Sequence, residues 1–144
     1  MEESLIARVR DTFALPRTDI KTYSPLTLAY IGDGIYDLII RTMLVEKGNS
    51  QVNKLHHKAS SLVKAAAQKD LLHAIQDNLT EEELGVFKRG RNAKSVTTAK
   101  NASVTDYRIA TGFEAMIGYL YMTEQMERIL CLVKEGLLKT GLLD

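Results

Sequence analysis

The apolar positions of this chain recur at helical spacing along most of its length. After Leu26, for example, Leu28, Ile31, Ile35 and Leu38 share one face of a helix. Both prolines fall in the first 25 residues, which favours helices in the remainder because proline disrupts a helix interior. The pattern and its capping residues predict helices from Leu26 to about Lys47, from Val52 to Asp77, from a cap at Thr80 to about Lys88, from a cap at Ser103 or Thr105 to Tyr121, and from Thr123 to Lys139.

These elements predict a single, non-repetitive all-α domain. We interpret residues 1–24 as an N-terminal extension, made of one more helix and a linker, and residues 25–144 as the main domain. The composition, 45% apolar and 26% charged, is that of an ordinary globular protein and excludes disordered and fibrous classes. A chain of 144 residues is also long enough to bury a sizeable core.

Nothing in the sequence predicts export or membrane insertion. No apolar run is long enough to span a bilayer. The first residues, MEESLIARVRDTF, begin acidic and lack the basic and apolar regions of a secretory signal. The single cysteine, Cys131, lies in an apolar run, and we interpret it as a buried structural thiol in a reducing compartment. We therefore expect a cytoplasmic protein with no membrane partner.

A conflict with helix preference marks residues 28–37, LAYIGDGIYD. Two glycines flank Asp33 in the middle of a predicted helix, and each costs the helix about 1 kcal/mol relative to alanine. An aspartate among apolar neighbours also needs a partner for its charge. Such conflicts are expected mainly at functional positions, and glycine lets another backbone or a ligand approach closely. Asp33 is therefore the first candidate functional residue.

A second isolated acid is Glu114, in the stretch YRIATGFEAMIGYLY at residues 107–121. Taken alone, it could be an edge residue that pairs with a lysine. Taken with Asp33, it predicts a site for one divalent cation, since carboxylates from facing helices commonly bind metals in helical bundles.

Positive charge is concentrated at residues 85–105 in a chain whose net charge is only +1. This segment holds five lysines and arginines and no acid, and Gly90 and Asn92 are expected to interrupt its helix. Cations without compensating acids beside a turn suit phosphate oxygens. A solvated loop is the alternative. With a divalent cation nearby, phosphodiester chemistry becomes the natural activity.

Other polar residues have simpler interpretations. Asp37 lies one helical turn after Asp33 and one turn before Arg41, so we expect Asp37 and Arg41 to form a surface ion pair. His56 and His57 lack a partner at the spacing of a metal site, and we interpret them as helix-surface or core residues. The sequence has neither a glycine-rich phosphate loop nor a GxSxG motif.

Four stretches, in this order and spacing, closely resemble Mini-III, the compact bacterial relatives of ribonuclease III. They are LAYIGDGIYD, LHHKAS at 55–60, FKRGRNAKS at 87–95 and YRIATGFEAMIGYLY. The resemblance covers roughly residues 26–137. It implies that residues 25–144 form a homodimeric, ribonuclease III-like endonuclease domain that cleaves double-stranded RNA with Mg²⁺. It further implies maturation of 23S ribosomal RNA precursor ends, without a separate double-stranded-RNA-binding domain.

Carried over by position, the resemblance makes Asp33 and Glu114 the catalytic and metal-binding residues. The larger ribonuclease III enzymes have further acids where this chain has Ala29 and Thr111, and another that would fall near Ala65. The acidic set is therefore smaller here, as it is in Mini-III.

The resemblance also implies contacts with RNA and with a second subunit. Gly32 and Gly34 are expected to let the RNA backbone or the partner subunit approach. A stimulating ribosomal protein is left open as a further partner. The predicted RNA-binding residues are Lys88, Arg89, Arg91, Asn92, Lys94, Ser95 and Lys100, and the predicted dimer interface contains Tyr30, Ile31, Ile35 and Leu38.

Two other functions are compatible with parts of the sequence. A non-catalytic RNA-binding factor would use only the basic segment, and the reduced acidic set favours it modestly. A helical nucleotide pyrophosphohydrolase would also use carboxylates and Mg²⁺. It is less well supported, because the acidic cluster at residues 81–83 is explained by a helix start, where negative charge is favourable.

Overall fold

The structure is a computed structural model that describes residues 4–94 and 103–143. Its described residues form helices and loops without a β-strand, in agreement with the predicted all-α class. No helix among them is both long and apolar enough to cross a membrane. The helices are α1 (Leu5–Thr12), α2 (Pro25–Glu46), α3 (Val52–Val63), α4 (Ala65–Ile75), α5 (Glu81–Asn92), α6 (Val104–Met122) and α7 (Met126–Lys139), with short 3₁₀ turns at Ile20–Thr22 and Gln76–Asn78.

Polar capping residues begin four of these helices, α1, α2, α5 and α6. Ser24 caps α2, its hydroxyl accepting a hydrogen bond from the backbone N–H of Thr27 at 3.2 Å. Thr80 and Glu83 form the predicted capping box at the start of α5. Of the two expected caps for α6, Ser103 is the one used. Each side chain satisfies a backbone donor that has no partner within its own helix.

Helix α6 is the centre of the fold, and α2, α4, α5 and α7 pack around it. Many of its side chains are buried, which explains why its sequence is apolar on nearly every face. The largest fully buried side chains come from α2, α4, α6 and α7, and they are Tyr36, Ile40, Leu71, Leu72, Ile75, Phe113, Met116, Ile117, Leu120, Ile129, Leu132 and Leu137.

Glycines let two helices cross α6 at backbone contact. At the α2–α6 crossing, a methyl group on Gly32 would overlap the carbonyl oxygen of Glu114, and one on Gly118 would overlap the carbonyl oxygen of Leu28. At the α5–α6 crossing, a methyl group on Gly90 would lie 2.7 Å from the Cβ of Ala115. Gly32 therefore admits α6 of the same chain, which corrects the expectation that it admits RNA or a partner subunit.

The single helix predicted from Val52 to Asp77 is wrong, because the chain breaks it at Lys64. Lys64 has extended backbone angles, φ −64° and ψ 156°, between α3 and α4. Two side chains stabilise the break: the hydroxyl of Tyr36 donates to the carbonyl of Leu62 at 2.8 Å, and the amide of Gln68 donates to the carbonyl of Val63 at 2.8 Å. Neither hydrogen bond belongs to a standard capping motif, so neither gives a recognisable sequence signal.

Three smaller expectations are also corrected. Helix α5 continues through Gly90 to Asn92, because Gly90 is a packing contact rather than a helix stop. Helix α7 begins at Met126, after a turn in which Glu124 has φ 59°. Cys131 is exposed, because the buried stripe of α7 passes through Ile129, Leu132 and Val133 and leaves position 131 outside it.

Candidate active site

The α2–α6 crossing brings the two predicted acids together. Asp33 follows Gly32 and is exposed at the surface of α2, while Glu114 lies half-buried on α6. The backbone contact at Gly32 places Glu114 beside Asp33, and their carboxyl groups are hydrogen-bonded to each other. Two residues on separate helices, far apart in the sequence, therefore form one acidic pair.

The environment of Glu114 strongly disfavours its ionised form. Burial, together with the negative charge and the hydrogen bond of Asp33, raises the pKa of Glu114 to about 8. Near neutral pH Glu114 is therefore largely protonated. A divalent cation held by the two groups would displace the proton of Glu114, because the charge of the cation favours the ionised carboxylate.

Gln68 is a site residue that the sequence reasoning missed. It lies on α4 and is only 2% exposed, and its Nε2 donates to Glu114 Oε2 at 3.3 Å as well as to Val63. Its Oε1 is buried and has no hydrogen-bond partner among the described residues. A signal existed in the sequence, since Gln68 is a lone amide on the apolar face of α4 formed by Ala67, Leu71 and Leu72.

The donor set suits a small, hard cation. Asp33 and Glu114 present carboxylate oxygens, the ligands that Mg²⁺ prefers, and Mg²⁺ normally retains several water molecules. No group of three or more His, Cys, Asp or Glu residues that could hold a metal occurs in residues 4–94 and 103–143. The site therefore fits a largely hydrated Mg²⁺ held by two carboxylates.

The positions where larger enzymes carry further acids do not supply ligands here. Ala29 and Thr111 are buried, at 7% and 8% exposure. The hydroxyl of Thr111 donates to the carbonyl of Tyr107 within α6 at 2.9 Å.

The polar residues that the sequence places outside the candidate site, His56, His57 and Asp37, lie at the surface. The exposed residues His56 and His57 lie on α3. Asp37 is paired as predicted, since Arg41 Nε lies 2.9 Å from its carboxylate.

The predicted RNA-binding cations occupy the end of α5 beside this site. Gly90 contacts Ala115, the neighbour of Glu114, and Arg89 and Arg91 flank Gly90. Neither arginine forms an ion pair within the described parts of the chain, nor does Lys88 or Lys94. Ser95 and Lys100, which were predicted to bind RNA, lie outside the described residues.

The arginines of α5 have different surroundings. Arg89 lines a groove with Lys21, Tyr23 and Tyr119, whereas the guanidinium of Arg91 lies 5.5 Å from the centre of the Phe87 ring. Lys88 and Asn92 are both exposed. The basic segment is therefore spread around the last turns of α5 rather than aligned on one face.

The outer face of α2 is apolar and exposed next to Asp33. Tyr30 is 83% exposed and Leu38 is 53% exposed, while Ile31 is half-buried. Ile35, predicted at the dimer interface, is only 6% exposed and packs into the core of its own chain. Gly34 borders open space, since nothing lies within 4 Å of where its Cβ would be.

Known proteins share both the sequence and the fold of this chain. A family model of the ribonuclease III domain matches residues 26–125. The chain is 54% identical to Mini-ribonuclease 3 of Clostridium tetani over 114 residues, covering 78% of this chain and 76% of that protein. It is 46% identical to Mini-ribonuclease 3 of Thermoanaerobacter sp. over 129 residues, covering 90% and 91%.

A solved structure agrees with these sequence matches. The crystal structure of a protein from Fusobacterium nucleatum superposes with a TM-score of 0.74 at 32% identity, over 81% of this chain and 93% of that one. The matched family domain includes Asp33, Gln68 and Glu114. The chain therefore belongs to the ribonuclease III family, in the group of Mini-ribonuclease 3 proteins, and is an endoribonuclease of the ribonuclease III type.

Proposed function

We propose that this protein hydrolyses double-stranded RNA with Mg²⁺ held by Asp33 and Glu114, and that it matures the ends of 23S ribosomal RNA precursors. The observation that carries the proposal is the hydrogen-bonded acidic pair at the α2–α6 crossing. The ribosomal RNA substrate is supported by the resemblance to Mini-III. Ribonuclease III family proteins act on double-stranded RNA and generally depend on a divalent metal.

Each acid has a distinct part in this reaction. When bound, Mg²⁺ supplies positive charge that stabilises the reacting phosphate and lowers the pKa of water. Asp33 is exposed, so an approaching phosphodiester meets its carboxylate first. Glu114 is half-buried on α6, and its proton would pass to solvent water when a cation is bound. The contact of α2 with α6 fixes the separation of the two carboxylates before RNA arrives.

Duplex RNA is held by the cations at the end of α5. Arg89, Arg91 and Lys94 have no ion-pair partner in the described structure, so their charge can neutralise phosphates. Because the arginines flank Gly90, which contacts Ala115 beside Glu114, phosphates bound there lie near the acidic pair. Recognition through phosphates suits A-form RNA, whose narrow major groove hides its base edges.

The protein acts as a homodimer through the outer face of α2. Ribonuclease III family members generally work as dimers, and Tyr30 and Leu38 supply exposed apolar surface on this helix. The contact would place two acidic pairs near one two-fold axis, as cutting both strands requires. Tyr30→Asp should give a monomer in sedimentation at micromolar concentration, and a dimer that persists would move the interface elsewhere.

A cleavage assay tests the proposed activity. Duplex RNA, single-stranded RNA of the same sequence and nucleoside triphosphates are incubated with the protein in Mg²⁺ or in EDTA. Mg²⁺-dependent cleavage of the duplex alone supports the proposal. Binding without cleavage would favour the non-catalytic factor, and hydrolysis of triphosphates would favour the pyrophosphohydrolase. A ribosomal RNA precursor duplex, with and without ribosomal proteins, then tests the substrate and a stimulating partner.

A further inference from the structure

Gln68 is a buried polar residue, and the packing of α4 alone does not require an amide at this position. Its side chain is 2% exposed, yet one of its two polar atoms, Oε1, has no partner among the described residues. Leaving a buried polar atom unpaired is unfavourable. A methionine or leucine at this position would fill the same space on the apolar face of α4 without that cost.

The other end of the amide connects two features. Nε2 donates to the carbonyl of Val63, where α3 ends, and to the carboxylate of Glu114. The break at Lys64 is therefore tied to the acidic pair, because one amide group satisfies the last residue of α3 and contacts Glu114. An amide fixed at one hydrogen bond can orient the group that accepts its other one.

The unpaired oxygen belongs to the same amide group. Oε1 is bonded to the carbon that carries Nε2, and Nε2 lies 3.3 Å from Glu114 Oε2, so Oε1 is within one amide group of the atom that contacts Glu114. It is an acceptor, and the water molecules around a hydrated Mg²⁺ are donors. This combination gives the buried oxygen a partner when the site is loaded.

We propose that Gln68 is a positioning residue that holds the Glu114 carboxylate toward the cation through Nε2 and accepts a hydrogen bond from the cation's hydration water through Oε1. The proposal rests on the proposed metal site at Asp33 and Glu114. It adds a neutral third member to that site, in which the described part of the chain supplies only two acids.

Metal binding without RNA provides the test. Mn²⁺, a paramagnetic substitute for Mg²⁺, is titrated into the RNA-free full chain, and the free ion is measured by electron paramagnetic resonance. Gln68→Met retains the volume but removes both polar atoms, and it should weaken Mn²⁺ binding about 10- to 100-fold, the usual effect of losing a group that orients a metal ligand. Gln68→Asn shortens the side chain by one methylene and so withdraws the amide, and it should weaken Mn²⁺ binding about tenfold. This variant replaces Gln68→Met in the test if the methionine variant does not fold.

Controls separate positioning from stability and from the metal site itself. Leu72→Ala lies one turn along α4 and creates a buried cavity, so it should lower the melting temperature while the Mn²⁺ dissociation constant stays within about twofold of the parent. A folded Gln68 variant that also stays within twofold would overturn the proposal for Gln68. Unchanged Mn²⁺ binding by Asp33→Asn would instead overturn the proposed metal site.

Discussion

At both helix crossings on α6 a glycine permits close packing of two backbones, but one crossing brings acidic residues together and the other brings basic residues against α6. At the α2–α6 crossing, Gly32 and Gly118 bring together a half-buried Glu114 and the exposed Asp33. At the α5–α6 crossing, Gly90 brings the basic end of α5 against α6. The difference lies in how far each charged group is removed from water.

This difference in burial predicts how strongly a substitution in each region affects activity or RNA binding. Burial shifts the pKa of Glu114 to about 8, so its function depends on geometry within one hydrogen-bonded pair. The cations of α5 keep much of their hydration, so they act independently and their attraction is screened by salt. A single substitution in the acidic pair at the α2–α6 crossing should therefore abolish most of the activity. Each substitution at the basic end of α5 should weaken RNA binding by a small amount.

The largest effect is expected from removing one charge of the acidic pair. Asp33→Asn or Glu114→Gln preserves shape but removes a cation ligand, and should reduce duplex cleavage at least about 100-fold. The control is Asp37→Asn, the same change one turn along α2, which breaks only the ion pair with Arg41. Thermal melts of all three variants verify folding. Near-parental cleavage by either site variant would contradict the assignment.

The next largest effect, on stability, is expected from adding a methyl group at the α2–α6 crossing. Gly32→Ala places a methyl group on the backbone of α6 and should lower the free energy of unfolding by about 3 kcal/mol. Gly34→Ala, two residues away on the same helix, points into open space and should raise it by up to about 1 kcal/mol. Chemical denaturation measures both. Equal effects of the two variants would refute the packing described for Gly32.

The raised pKa of Glu114 predicts a pH dependence of stability. The folded state binds more protons than the unfolded state between the ordinary pKa of 4.5 and the folded value of about 8. The stability gained from the protonated Glu114 is therefore present at low pH and is lost as pH rises through this window. Glu114→Gln should remove that loss and be more stable than the parent at pH 8, by roughly 1 to 3 kcal/mol. Melts from pH 5 to 8.5 without metal test this, and parallel curves for the two proteins would contradict it.

The smallest effect is expected at the basic end. Neutralising Arg91 and Lys94 together should weaken duplex binding and reduce the slope of log affinity against log salt by about 0.7 to 0.9 for each phosphate that the variant no longer neutralises. Neutralising Lys134 and Lys139 on α7, where Lys139 pairs with Glu135, removes the same charge and should leave the slope nearly unchanged. If both double variants change the slope equally, the attraction comes from overall charge. An unchanged slope in the Arg91 and Lys94 variant would place the RNA-binding surface elsewhere.

The helical pattern and the local conflicts in the sequence predicted much of this structure. Capping residues and apolar spacing indicated α2, α5 and α6 because those signals are local. Asp33 was predicted as a site residue because two glycines in a helix are locally unfavourable. The prediction that Gly32 contacts RNA or a partner subunit was wrong, because no local sequence signal distinguishes such a glycine from one that contacts α6. The break at Lys64 depends on hydrogen bonds from distant side chains, so local patterns could not reveal it. Gln68 did give a local signal, as a lone amide on the apolar face of α4, but its contact with Glu114 joins two distant helices and could not be predicted from that signal.

We propose that Asp33 and Glu114 form one cation site from which cation binding displaces the proton of Glu114, and the number of protons released on binding tests this proposal. Mn²⁺ is titrated into RNA-free protein by calorimetry at pH 7, in buffers that differ in ionisation enthalpy. Because the pKa of Glu114 is about 8, binding should release about one proton per chain at pH 7 and only a small fraction of one at pH 9. Release should disappear in Glu114→Gln. Binding to the parent that releases no proton at pH 7, or equal release at both pH values, would show that the cation does not displace the proton of Glu114.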